Sequence, residues 1–262
     1  MEKTDVSNIL MDGSGIANVR KDINQSQWED GIKIQIKNLV SIPPFESSRA
    51  VIASLANSGH QTVILPTAKV DGPFTEPVDG IEWRERRSNH IDATPEGKEP
   101  LICAEGLVAD RDQSGRPLWP GRGKQGSGHG SNVAIYYTPQ DHIPTENEPG
   151  GRTDEILLHE MVHALRMSKG KSLCLAFGDN YDTQEEFYAI LITNIYRSEN
   201  RYTTLRANHF RHLPLMAPLT DDGVFYQRYK SWIDILVNEW NPICRSLARI
   251  RCAFNPIRRA FP

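Results

Sequence analysis

Two histidines stand one helical turn apart in the stretch ILLHEMVHALRMSKG, which covers residues 156–170. On a helix, His159 and His163 leave the same face and can approach one metal ion. Glu160 is rotated by about 100° from His159, which places its carboxylate beside such an ion, where it can take a proton from a bound water. The pattern therefore predicts a zinc site with Glu160 as general base. The alternative is an ordinary core helix whose histidines hydrogen-bond to other protein groups.

A catalytic zinc ion needs a third protein ligand and one open position. The downstream stretch DTQEEFYAILITNIYRSEN predicts a second helix, capped by Asp182 or Thr183, with Glu185 and Glu186 in its first turn. Neighbouring residues diverge by about 100° on a helix, so only one of these carboxylates is expected to face the metal. The alternative is that both are surface carboxylates favoured by the helix dipole.

Composition narrows the class of protein. The chain of 262 residues is 39% hydrophobic and carries a net charge of -3, so it can bury one substantial core and has no overall attraction for nucleic acid or an anionic membrane. No apolar run reaches the length of a membrane helix. The cysteines are too dispersed for a CxxC metal knuckle, which predicts reduced thiols. They are Cys103, Cys174, Cys244 and Cys252. We expect a monomer that binds neither nucleic acid nor membrane.

The N-terminal part predicts a small β/α unit. Residues 1–30 are polar and lack periodicity, which predicts a mobile leader or a secretion address, with one domain over residues 31–262. GIKIQIKNLVSI, from residue 31, alternates isoleucines with polar residues and predicts a strand. A helix is then predicted from Ser47 or Ser48 to near Gly59, followed by the strand TVIL.

The rest of the chain divides into a loop-rich part and a helical part. Residues 69–130 are dense in Gly and Pro and predict long loops around the strand candidate PLICAEGLV. SNVAIYYTP, residues 131–139, predicts a strand that is either an edge able to pair with an extended peptide or a central strand. Thr153 is the predicted N-cap of the histidine helix, and the segments beyond it predict mainly helices. The fold class is therefore α+β, with a mixed sheet and a mainly helical C-terminal half.

HEMVHAL, YDTQEEFYAI and NIYRSENRYTTLR together resemble the NleD-type zinc metalloproteases, bacterial effectors that belong to the toxin zincins. TQEEFYA is also similar to a segment of anthrax lethal factor in which the glutamate before an aromatic pair binds zinc. The resemblance implies a zincin-like domain with Glu186 as the third ligand and Glu185 as the fallback. It also implies a tyrosine that supports the oxyanion, for which Tyr181 is the nearest match and Tyr188 its rival.

The same resemblance implies a biological setting. Relatives of this type are secreted into the host cell cytosol and cleave host signalling kinases, so a host protein is the expected substrate. The implied reaction is hydrolysis of a peptide bond at one catalytic Zn²⁺. Two alternatives are a zincin-like binding module without activity and a protease toxin aimed at competing bacteria.

Several polar residues along the second helix and its continuation are expected to have structural roles. Asn194, Glu199 and Arg206 predict a buried polar network rather than catalytic groups. His209 and His212 in NHFRHLP have no carboxylate or thiol nearby in the sequence. They are therefore expected to be surface or hydrogen-bonded histidines and not a second metal site.

Overall fold

The computed structural model describes residues 2–41, 45–69, 72–78, 130–142, 148–172, 181, 183–209 and 212–261. Within them the strands are β1 (Glu2–Lys3), β2 (Ile9–Met11), β3 (Thr62–Leu65), β4 (Phe74–Val78) and β5 (Asn132–Tyr136). The helices are α1 (Ile16–Val19), α2 (Gln25–Val40), α3 (Glu46–Ala56), α4 (Thr153–Ser168), α5 (Gln184–Glu199), α6 (Asp222–Glu239) and α7 (Asn241–Ala248). Short 3-10 turns cover Pro139–Asp141 and Pro256–Ala260. The fold is mixed α+β with a mainly helical C-terminal half, as predicted.

The described strands form one mixed sheet in the order β1-β2-β3-β5-β4. β2, β3 and β5 are parallel, whereas β1 and β4 run antiparallel to their neighbours. The predicted strand in SNVAIYYTP is therefore confirmed as β5, and it lies between two other strands. The alternative that this strand is a free edge is wrong, because both of its sides are hydrogen-bonded; β4 is the outer strand in the described part of the sheet.

The main core lies on one face of the sheet. Ile64, Val133 and Ile135 are buried in it together with the apolar residues of the helices, and α4 packs against both β4 and β5. Leu65 and Tyr136, which point to the other face, belong to a separate small cluster. Because the helices cover one face of the sheet in this way, α4 is supported directly by β4 and β5.

The predicted mobile leader is wrong for residues 2–30. They form β1, β2, α1 and the first part of α2, with Ile9, Met11 and Trp28 completely buried. The Trp28 indole donates to the carbonyl of Tyr137, 3.0 Å away. A domain boundary after residue 30 would cut α2, so the N-terminal segment is part of the core. A role in secretion stays a prediction.

The strand predicted in GIKIQIKNLVSI is also wrong, because this segment is part of α2. Asn24 and Gln27 form a reciprocal capping box at the start of that helix, which fixes its register. Trp28, Ile32 and Ile36 then recur at four-residue intervals and are buried, whereas Ile34 is 55% exposed. The helical period therefore determines which isoleucines enter the core.

The other predicted elements are largely confirmed. α3 and β3 occupy the predicted segments, but the strand that pairs in parallel with β3 on this side is β2 and not the strand predicted from residue 31. α4 begins at Thr153 with Arg152 as its N-cap residue, so Thr153 is not the cap. It ends before Gly170, whose φ of +65° is the left-handed conformation expected after a helix.

Some predictions lie outside the described residues. They concern the strand candidate PLICAEGLV and its surrounding loops from residue 79 to 129, the capping role of Asp182, and two of the cysteines, Cys103 and Cys174. Among the helices that the structure describes, none is both long and apolar enough to cross a membrane.

Candidate metal centre

α4 and α5 form a buried antiparallel pair at the centre of the molecule. Almost every residue of both helices is buried, including all of their charged residues except Glu199. Arg166 near the end of α4 pairs with Glu185 at the start of α5 at 2.6 Å. At the opposite end of the pair, Glu155 of α4 pairs with Arg197 of α5 at 2.5 Å. These two ion pairs fix how α4 and α5 are aligned along their length. That alignment determines which residues of α5 face His159 and His163.

The first turn of α5 brings Glu186 to both histidines. The Nε2 atom of His159 lies 3.0 Å from Glu186 Oε2, and the Nε2 atom of His163 lies 3.3 Å from Glu186 Oε1. The two Nε2 atoms are 3.1 Å apart. Ligand atoms at about 2.0–2.1 Å from a tetrahedral zinc ion are separated by about 3.3 Å. Two imidazole nitrogens and the two oxygens of one carboxylate, converging at this spacing, fit a zinc ion with only small adjustments.

Glu185 is turned away from the histidines. Its Oε2 atom accepts from Arg166 Nε at 2.6 Å, and both side chains are essentially inaccessible to solvent. Thr183 caps α5 by accepting from the backbone N–H of Glu186, as one of the two predicted caps. The structure thus places Glu186, and not Glu185, at the candidate site. The idea that both are surface carboxylates is wrong, because each is at most 2% exposed.

Burial and mutual attraction set the protonation of the cluster. Burial lowers the pKa of His159 to about 3. Burial also opposes charge on His163, but the Glu186 carboxylate outweighs it and raises the pKa of His163 to about 9. Burial likewise opposes ionisation of Glu186, yet the charge of His163 and the two imidazole contacts hold its pKa well below the usual value. Without a metal, these shifts favour a proton on His163, facing the ionised Glu186 carboxylate.

Glu160 lies beside this cluster and is supported by the sheet. Thr75 of β4 donates to Glu160 Oε2 at 2.6 Å and lies 3.2 Å from the Glu160 carbonyl oxygen. Burial raises the pKa of Glu160, and the bond from Thr75 partly opposes that rise. A carboxylate with a raised pKa next to a metal site has the properties of a general base. Sequence reasoning missed Thr75 because its strand lies far from the histidine helix in the sequence.

A third histidine, which was not predicted from the sequence to lie at the site, reaches the cluster. His209 Nε2 lies 3.2 Å from Glu186 Oε2, and its ring is nearly parallel to that of His159 with centroids 6.0 Å apart. His159, Glu186 and His209 offer ligand atoms that all lie within 4.8 Å of one another. His209 thus contacts a carboxylate that is distant in the sequence, and it belongs to the same cluster rather than to a second metal site. The contact between His209 and Glu186 could not be predicted from the sequence, because it depends on a hairpin after α5 that folds back over the site.

We call residues 205–209 and 212–215 the His209 hairpin. Its two sides pair through Ala207 N–H with Leu213 O and through Leu215 N–H with Leu205 O, at 2.8 and 2.7 Å. Asn194 of α5 holds Arg206 by exchanging two hydrogen bonds with its backbone, at 2.8 and 2.7 Å. The predicted structural roles of Asn194 and Arg206 agree with these contacts.

The Glu199 carboxylate lies in a different place, at the start of α3. It accepts from the backbone N–H groups of Glu46 and Ser47 at 2.6 and 3.1 Å. It also accepts from the Ser47 hydroxyl at 2.6 Å. Glu199 is therefore structural, as predicted, but it caps a helix rather than joining the network of Asn194 and Arg206.

The two tyrosines named for the oxyanion are both buried. The ring of Tyr181 packs edge-on against Phe187 and Tyr229. The hydroxyl of Tyr188 donates to the carbonyl of Trp232 at 3.0 Å, which commits it to the protein interior and argues against Tyr188. The catalytic role of Tyr181 stays a prediction.

Comparison with known proteins gives one match. Residues 80–209 match the model of the peptidase family M91, which is described as "Effector protein". The matched segment includes α4, α5 and His209. Searches of curated proteins and of solved structures found no significant match. None of these comparisons shows the similarity to anthrax lethal factor, which stays a prediction.

Proposed function

We propose that this chain is a zinc-dependent endopeptidase that a bacterium secretes into a host cell, where it hydrolyses a host protein. The match to a family of effector peptidases supports the peptidase class, an effector role and a host protein as substrate. The observation that carries the zinc assignment is the convergence of two imidazoles and one carboxylate within 3.3 Å of one another on two buried helices.

His159, His163 and Glu186 are the residues that would hold the ion. Two neutral imidazole nitrogens and one carboxylate oxygen are a donor set suited to zinc, and three protein ligands leave one position open. When bound, the ion would polarise the scissile carbonyl and make a water acidic enough to react near neutral pH. His163 must lose its proton to bind the ion, and Glu186 is already ionised.

The remaining residues supply proton transfer and orientation. Glu160 would take the proton of the attacking water and return it to the leaving amine, so that water is added across the C–N bond. Thr75 holds the Glu160 carboxylate from the side of β4. Since β4 is the outer strand in the described part of the sheet, an extended substrate peptide could pair with it through main-chain hydrogen bonds. Tyr181 is kept as a proposed donor to the oxyanion.

Comparison of wild-type protein with the Glu160→Gln variant tests the proposal. Both proteins are added to host-cell lysate, new N-termini are identified by mass spectrometry, and bound metal is measured by elemental analysis. We expect about one zinc per chain in both proteins and new N-termini only with wild type, because loss of a general base costs about 10²–10⁴-fold in rate. Equal cleavage by both proteins, or absence of bound metal, would contradict the proposal.

The same experiment addresses the substrate. Relatives suggested by the sequence resemblance act on signalling kinases, and we propose a host signalling protein of this kind as the substrate. The identified N-termini give the cleaved proteins directly. Zinc binding without cleavage by either protein would instead favour a binding module.

A further inference from the structure

We propose that His209 is a catalytic residue that donates a hydrogen bond to the carbonyl oxygen of the scissile peptide bond. This inference rests on the proposed peptidase function and extends it to a residue outside the three-ligand set. In the reaction, the water oxygen bonds to the carbonyl carbon, the C–N bond breaks and the proton passes through Glu160 to the leaving nitrogen. The N–H of His209 donates to the carbonyl oxygen and stabilises the charge that develops there.

Position distinguishes His209 from the other two histidines. His159 and His163 are 5% and 2% exposed and lie on the buried helix α4, whereas the His209 side chain is 28% exposed. His209 therefore lies at the solvent side of the cluster, where a substrate has to enter. Its Nε2 atom nevertheless faces inward, 3.2 Å from Glu186 Oε2. A side chain that is accessible to solvent and also directed at the candidate metal site is placed to contact a bound substrate.

The His209 hairpin holds this ring in place. The Arg206 guanidinium donates from Nε to the Asn208 carbonyl at 2.7 Å and from Nη2 to the His209 carbonyl. Arg206 itself is anchored to α5 through Asn194. The backbone beneath His209 is thus tied to the helix that carries Glu186, so the ring and the carboxylate keep a fixed spacing. Fixed donors of this kind stabilise a transition state because they need no reorganisation.

A role as a fourth metal ligand fits less well. Three protein ligands are already within 3.3 Å of one another without His209. A fourth ligand from the protein would close the coordination sphere, which is typical of structural zinc sites, whereas catalytic sites keep one position open. His209, in its exposed position, is therefore better placed to contact the substrate than to bind the metal ion.

Two His209 variants separate these roles. His209→Ala removes the donor, and His209→Gln keeps an N–H donor of similar reach. We expect His209→Ala to lower kcat by about 10²–10³-fold, the usual cost of one oxyanion donor, with little change in KM, and His209→Gln to recover part of the loss. Zinc affinity, measured by competition with a chelator, and the visible absorption spectrum of the Co²⁺-substituted protein should stay close to wild type.

His212→Asn is the matched control on the same hairpin. His212 has a φ of +48°, which Asn tolerates better than most residues, so the backbone is preserved and activity should stay at the wild-type level. Tyr181→Phe, measured in parallel, tests the tyrosine suggested by the resemblance. Circular dichroism and the urea midpoint of each variant show whether it is folded.

Each outcome has a defined meaning. A loss of zinc affinity above tenfold in His209→Ala, or an altered Co²⁺ spectrum, would make His209 a ligand and overturn the proposal. Unchanged kcat in a folded His209→Ala protein with zinc bound would overturn it as well. If wild-type protein binds zinc but cleaves nothing, the proposed function fails together with this inference. Cleavage by wild type and by both His209 variants at equal rates refutes the inference alone.

Discussion

The same two helices carry two kinds of buried polar cluster. In the arginine clusters, Arg166 pairs with Glu185 and Arg197 pairs with Glu155, so each buried cation faces a carboxylate. In the cluster around Glu186, the imidazoles of His159, His163 and His209 all lie within 3.3 Å of a single carboxylate, and among the described residues the Nδ1 atoms of His159 and His163 have no hydrogen-bond partner. The first kind pairs opposite charges inside the protein, whereas the second gathers nitrogen and oxygen atoms that a proton or a metal ion can share.

The difference between the two kinds of cluster means that neighbouring residues have separate roles. Glu185 and Glu186 are adjacent in the sequence and equally buried, yet one holds two helices together and the other faces the histidines. Burying a charge costs several kcal/mol unless it is paired. We therefore expect changes in the arginine clusters to alter stability first, and changes in the Glu186 cluster to alter metal binding first.

The largest effect on stability is expected from Arg166→Met. This change leaves Glu185 buried without its partner and removes the stacking of the guanidinium on Tyr188 and Trp240. Loss of one member of a buried ion pair costs about 3–5 kcal/mol. The free energy of unfolding, measured by urea denaturation of metal-free protein, should fall by that amount.

A double variant controls for this prediction. Arg166→Met combined with Glu185→Leu removes both charges, and apolar replacements of buried ion pairs are often neutral or stabilising. The double variant should recover most of the lost stability. A double variant as unstable as Arg166→Met alone would show that packing, and not the unpaired charge, is responsible.

Glu186→Gln should have the next largest effect, on metal affinity. It removes the only carboxylate of the proposed ligand set, so zinc affinity should fall by more than about 100-fold, beyond the 10–100-fold typical of outer-shell changes. Competition with a chelator measures the affinity. Stability without metal should change less than in Arg166→Met, because no arginine is left unpaired.

Glu185→Gln is the matched control one residue away. It weakens the bond to Arg166 and should therefore lower the free energy of unfolding while zinc affinity stays within about tenfold of wild type. The opposite pattern, with zinc lost in Glu185→Gln and kept in Glu186→Gln, would reverse the roles given to these two glutamates.

The sequence predicts the centre of the site because helical spacing is a local property. His159, Glu160 and His163 are set by one helix, and the divergence of adjacent residues limits the pair Glu185 and Glu186 to one inward carboxylate. The choice of Glu186 came from a resemblance, and the structure brings it to the histidines through the helix register. His209 and Thr75 reach the site through a hairpin and a strand pairing, which no local pattern reveals.

In the N-terminal part of the fold, too, long-range contacts decide what the local sequence pattern leaves open. β2 has three residues and is stabilised by pairing with β3, more than fifty residues later, so its own sequence has no strand period. In α2, Ile32, Ile34 and Ile36 suit a strand as well as a helix. The capping box at Asn24 and the burial of Trp28 against Tyr137 resolve this ambiguity, and the second of these is a long-range contact.

Zinc affinity should also depend on pH. The pKa of His163 in the metal-free protein is raised from 6.5 to about 9 by Glu186, so at pH 7 this imidazole carries a proton that zinc must displace. Between pH 9 and pH 7, apparent affinity should fall about tenfold per pH unit as the pH is lowered, and about one proton should be released on binding. Calorimetry in buffers of different ionisation enthalpy measures the released protons. Affinity that is independent of pH would contradict the charge state given to the site.

The smallest effect is expected from Thr75→Val. This change removes the hydroxyl that donates to Glu160 but keeps a side chain of the same shape. One such bond contributes about 1 kcal/mol, so kcat/KM should fall about fivefold while zinc content is unchanged. Because this bond lowers the pKa of Glu160, its loss should raise that pKa and move the acidic limb of the pH profile to higher pH. Thr193→Val, which removes a buried hydroxyl bonded to the Ala189 carbonyl, should leave the limb in place. An equal shift in both variants would mean that Thr75 acts through general packing, and not through Glu160.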